Sequence, residues 1–175
     1  KIVCLTAYSK SIASILDKFV DIILVGDSMA NVLYGHKNTH KISLKNILQH
    51  TSSVKMGVNN SLLVVDMPKG SYQNIKIANK NVKLVINKTK CDAIKLESNG
   101  KNYKIIESLV KKKIPVMGHI GYTPQFKRNF KIEGISKLDG LKLLKEAKAI
   151  EKAGAFSIVL ECISPWTAKL ITREL

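Results

Sequence analysis

The chain has 175 residues, is 45% apolar and carries a net charge of +16. Without an apolar run near the roughly 20 residues that cross a bilayer, it reads as one soluble globular domain rather than a membrane protein. Its cations are 27 lysines against two arginines, Arg128 and Arg173. The lysines are scattered along every segment, with no basic arm or aromatic-interleaved patch, which argues for a solvated surface and against nucleic acid as a partner. Cys4, Cys91 and Cys162 have neither even number nor C-x-x-C spacing. Disulfides and a zinc site are therefore not expected, and a reducing cytoplasm is the expected compartment.

In chain order, strands are expected at 2–6, 21–25, 61–65, 93–96, 115–118 and 155–160, and helices at 11–19, 44–56, 74–87, 102–112, 137–153 and 165–173. Leu138, Leu141, Leu144, Ala147, Ala149 and Ile150 gather mostly on one face of the fifth helix, and Gly154 ends it. Alternating strands and helices, with near-continuous apolar strands, imply an α/β fold with a parallel sheet covered by helices. Both an open doubly wound sheet and a (β/α) barrel satisfy this pattern.

Five successive strands run into an ionisable residue: V-G-D at Asp27, L-V-V-D at Asp66, I-K-L-E at Glu97, V-M-G-H at His119 and I-V-L-E at Glu161. In parallel α/β folds the carboxyl ends of the strands share one rim, where active sites are built. Taken singly, each has an ordinary explanation as a cap, a turn or a strand terminus. Unrelated accidents would scatter over strand starts and helix faces, and these do not. Lys95 and Glu97 stand two apart in one strand and so share a face. Oxygen ligands without cysteine suit a hard ion such as Mg²⁺, which takes one or two carboxylates, and Asp27 and Asp66 are the natural pair. Such an ion would polarise an α-keto acid, and Glu161 could remove the neighbouring proton if its surroundings tuned it.

L-T-A-Y (5–8), I-I-L-V-G-D-S (22–28), D-M-P-x-G-S-Y (66–72), I-K-L-E (94–97), P-V-M-G-H-I-G-Y-T-P-Q (115–125) and A-G-A-F-S-I-V-L-E-C (153–162) closely resemble the ketopantoate hydroxymethyltransferase family, in order and over essentially the whole chain. The resemblance implies a (β/α)8 TIM-type barrel, here truncated to about six βα units without the N-terminal helix and the last two units. It also implies a homo-oligomer. The implied reaction moves a hydroxymethyl group from 5,10-methylenetetrahydrofolate to 3-methyl-2-oxobutanoate, the first step toward pantothenate. By position, Asp27 and Asp66 would bind Mg²⁺, with Glu97 joining directly or through water. Asp27, Ser28, Asp66 and Lys95 would hold the keto acid, His119 would lie near the transferred group, and Glu161 would be the proton acceptor.

Three departures stand out. Lys69 replaces a usually apolar residue, His40-Lys41 replaces a usual Leu-Pro, and 126–134 is shorter than its counterpart and lacks paired glycines. Beginning at Lys1 and ending at Leu175, the chain reads as trimmed or as a piece of something longer. The alternative expectation is thus a truncated or degenerate barrel without independent activity, serving at most as an oligomer subunit.

Overall fold

The computed structural model describes residues 1–175. Six strands, β1 (Cys4–Thr6), β2 (Ile22–Val25), β3 (Leu62–Asp66), β4 (Ala93–Glu97), β5 (Val116–Gly121) and β6 (Ser157–Glu161), follow one another in chain order. They alternate with α1 (Lys10–Leu16), α2 (Met29–Val32), α3 (Leu44–Lys55), α4 (Ile75–Thr89), α5 (Tyr103–Val110), α6 (Lys137–Lys152) and α7 (Pro165–Glu174). Every expected strand and helix is present. Two elements were not expected, the single turn α2 and a 3₁₀ turn at Thr39–Lys41. β2 stops at Val25, so Asp27 lies two residues beyond it, and β5 continues to Gly121, so His119 lies inside a strand rather than just past one. The chain forms two compact units, residues 1–95 and 96–175, with the boundary inside β4.

In the first unit β1 pairs parallel with β2, β2 with β3, and β3 with the start of β4. Ile23, Leu63, Val64, Val65 and Ile94 are fully buried, as expected of strands covered by helices. The helices begin on sequence-encoded caps. Ser43 and Asn46 form a reciprocal capping box on α3, and the Asn74 side chain accepts the Ile77 N–H on α4. At Gly57 a Cβ would come within 2.5 Å of the Lys10 carbonyl oxygen, so this position is reserved for glycine by the close approach of the α1 segment.

Asp17, at the end of α1, anchors the turn that leads into β3. Its carboxylate accepts the backbone N–H groups of Asn59 (3.0 Å), Asn60 (3.1 Å) and Ser61 (2.8 Å). Burial pushes its pKa up, but the N–H donors of Ser61, Asn59 and Asn60 outweigh that and hold it at about 2, below the ordinary 3.8. A lowered folded-state pKa stabilises above the unfolded value, and the gain fades as the pH falls from about 4 through about 2. Asp17→Asn is expected to cost about 1–3 kcal/mol at neutral pH, since a neutral amide replaces the charged acceptor and turns an NH₂ toward backbone donors. Urea unfolding at pH 7 and pH 3 checks this: the variant's deficit shrinks at the lower pH.

In the second unit β5 and β6 pair parallel from Met117–Ser157 to Gly121–Glu161. A Cβ at Gly118 would sit 2.6 Å from Ile150 Cγ2, so the glycine lets α6 lie directly on β5. Gly121 combines φ +93° with a Cβ position that collides with the Glu161 carbonyl oxygen. The same carbonyl accepts the Tyr122 N–H at 2.8 Å, so the close approach fixes the end of β5 against the end of β6. α7 begins on a Ser164 cap with Pro165 in its first turn. All five residues of β6 are of intermediate exposure, whereas all those of β4 and β5 are buried.

Candidate active site

In the first unit the strand register decides which side chains meet. Val25 pairs with Val65, so Asp66 follows the last β2–β3 pair by one residue and Asp27 by two. Asp66 pairs directly with Lys95 on β4, and the Lys95 ammonium forms an ion pair with Asp66 Oδ2. The two side chains are 6% and 3% exposed, so this is a buried charge pair, costly to form and costlier to break on one side only. Asp27 is likewise buried. Ser28 immediately precedes α2 without a side-chain cap bond to it, and its Oγ lies 2.7 Å from the Tyr8 hydroxyl. Tyr8 was not singled out from the sequence, although it ends the quoted L-T-A-Y stretch.

The second unit holds a carboxylate–imidazole–carboxylate series. His119, 1% exposed, has Nε2 3.2 Å from Glu161 Oε2 and Nδ1 3.8 Å from Glu97 Oε1. Glu97 is buried, and its Oε2 accepts the Gln125 N–H at 3.0 Å. The Glu97 carbonyl accepts from Asn102 Nδ2 at 2.9 Å, so the end of β4 is tied on both its side chain and its backbone. Glu161 is different, for its side chain is 39% exposed. One carboxylate is locked in place and the other is accessible, with the imidazole between them. Burial raises the Tyr122 pKa, and Glu161, Glu97 and Cys162 raise it further, so the phenol stays protonated. Burial and Glu161 also raise the Cys162 thiol, which disfavours a nucleophilic thiolate there. Gln125 could be found in the sequence only as the last letter of the quoted G-H-I-G-Y-T-P-Q run.

Buried Asp66, at the end of β3, and buried Asp27, two residues past the end of the neighbouring β2, offer hard oxygen donors of the kind Mg²⁺ takes with waters and substrate oxygens. No group of three or more His, Cys, Asp or Glu side chains is arranged to hold an ion. A magnesium site does not need one. Two of the departures meet, since Lys69 Nζ lies 3.2 Å from His40 Nε2 and 3.3 Å from His40 Nδ1 on the exposed surface. No helix is long and apolar enough to cross a membrane.

The parallel α/β fold is that of the barrel class represented by 2,3-dimethylmalate lyase, a PEP mutase/isocitrate lyase superfamily member. That structure is 12% identical, has a TM-score of 0.74 and is matched over 99% of this chain and 61% of its own. Phosphonopyruvate hydrolase in complex with oxalate and Mg²⁺ gives a TM-score of 0.75 at 13% identity, over 98% of this chain and 62% of its own. Sequence narrows the class: the chain belongs to the ketopantoate hydroxymethyltransferase family, whose model matches residues 1–175. A relative in Pelagibacter ubique named 3-methyl-2-oxobutanoate hydroxymethyltransferase is 52% identical, over 99% of this chain and 67% of its own length. One of the same name in Anaplasma marginale (strain St. Maries) is 42% identical, over 100% and 64%. The chain spans about two thirds of the length of these relatives.

Proposed function

We propose that the chain is the catalytic (β/α) barrel domain of a cytoplasmic, homo-oligomeric enzyme. It transfers a hydroxymethyl group from 5,10-methylenetetrahydrofolate to 3-methyl-2-oxobutanoate. The net change consumes one water and yields 2-dehydropantoate and tetrahydrofolate. The observation that carries this reading is the family match over residues 1–175, which includes all seven candidate residues. Asp27 and Asp66 would hold Mg²⁺, with Glu97 joining directly or through water. The ion, when bound, supplies Lewis acidity that favours the enolate of the keto acid.

The remaining work falls to side chains. Ser28 and the Lys95 ammonium bind and orient the keto acid, and Lys95 also holds the Asp66 carboxylate in place. Glu161 removes the C3 proton, leaving C3 to form the new bond to the one-carbon unit. His119, 3.2 Å from Glu161 Oε2, orients that carboxylate and can receive its proton. Product formation by the purified 175-residue chain, with both substrates and Mg²⁺, tests the proposal.

A second reading, a barrel segment without independent turnover, is favoured by the intermediate exposure of every β6 residue. A folded chain that binds keto acid but forms no product would decide for it.

A further inference from the structure

We propose that His50 is a positioning residue for the keto-acid-binding hydroxyl of Ser28, a role that rests on the substrate assigned above. His50 lies on α3, outside every motif quoted from the sequence. Its Nδ1 is 2.8 Å from the carbonyl oxygen of Tyr8, 42 residues away in the chain. A carbonyl can only accept, so Nδ1 carries a proton and donates it to Tyr8. The other ring nitrogen, Nε2, lies 2.8 Å from the Tyr34 hydroxyl, within hydrogen-bond distance.

These two bonds close a ring around Ser28. The Tyr8 hydroxyl meets Ser28 Oγ at 2.7 Å, and the Tyr8 carbonyl meets His50. On the far side His50 meets Tyr34, whose N–H donates to the carbonyl of Met29, the residue after Ser28. The imidazole thus ties together the segment before α1, which meets Ser28 Oγ, and the segment after α2, which bonds to the neighbouring Met29 carbonyl. Apolar packing of α3 would be served by a leucine or valine. A histidine with both nitrogens engaged, one of them on a backbone carbonyl, serves orientation instead. Holding Ser28 Oγ within a few tenths of an ångström is what a substrate hydroxyl contact requires.

Calorimetric titration of the full chain with 3-methyl-2-oxobutanoate and Mg²⁺ tests the role. His50→Ala should weaken binding roughly three- to tenfold, the worth of an oriented hydrogen bond. His50→Asn, whose amide N–H can reach the Tyr8 carbonyl, should recover most of that loss. Exposed Tyr34→Phe, which cannot unfold a core it does not enter, should weaken binding about two- to threefold. Urea midpoints measured alongside separate a folding defect from a binding one. If wild type binds and His50→Ala and Tyr34→Phe bind equally well, the positioning role is wrong while the assigned substrate stands. Equal weakening in His50→Ala and His50→Asn also overturns it, since bulk rather than the Nδ1 donor would then matter. A wild type that does not bind the keto acid removes the functional reading, and the positioning role with it.

Discussion

Glu161→Gln should abolish the Mg²⁺-dependent exchange of the C3 hydrogen of 3-methyl-2-oxobutanoate for deuterium, lowering its rate by about 10²–10⁴. Exchange reports proton removal alone and needs no one-carbon donor. Glutamine keeps the size of the side chain and can still face His119 Nε2, now 3.2 Å from Glu161 Oε2, but it cannot take a proton. The accessible member of the series is the right candidate for this step. Glu97 is buried with an oxygen committed to the Gln125 N–H, whereas the Glu161 side chain is 39% exposed. His119→Gln should slow exchange less, because the base remains and only its orientation and proton partner are lost. A Glu161→Gln chain that exchanges at the wild-type rate would move the base elsewhere.

How far such residues could be read from sequence depended on the range of the interactions that place them. The strand-end positions of Asp66, Glu97 and Glu161 were legible from the apolar runs that lead into them, and the shared strand of Lys95 and Glu97 from their spacing of two. Both facts need only a period of two and a strand end. The bonds made by Tyr8, His50 and Asp17 were not legible, since their partners lie 20, 42 and 42–44 residues away. Nothing local distinguishes them from surface or helix-end residues. β5 shows a different failure. Gly118 read as a strand terminus, but its missing Cβ makes room for Ile150 and the strand runs on to Gly121. Glycine signals both a breaker and a close approach, and only the packed neighbour tells which. Asp27 depends on more than its strand, since both the expected strand and the observed pairing end at Val25. The two residues past the strand place Asp27 beside Ser28 at the start of α2.

Lys95→Met carries the other large effect, and it combines stability with binding in a way that can be separated. Removing the ammonium leaves Asp66, 2% exposed, as a buried charge without its cation, a loss of about 3–5 kcal/mol. The same change should eliminate measurable keto-acid binding, because the proposed cationic contact for the ligand disappears with it. Urea unfolding and calorimetric titration would record the two losses. By itself that pair of results fits a structural ion pair as well as a binding lysine. The double variant Asp66→Asn/Lys95→Met distinguishes them, since replacing both charges by neutral groups of similar shape removes the penalty of the stranded carboxylate. Much of the stability should therefore return. Binding should not return, because neither the cation for the ligand nor the Asp66 carboxylate proposed for Mg²⁺ is restored. A double variant that regained both stability and keto-acid affinity would show that the Asp66–Lys95 pair only holds β3 against β4. One that regained stability alone would mean that this buried pair is kept at its cost in desolvation because the ligand needs both of its charges.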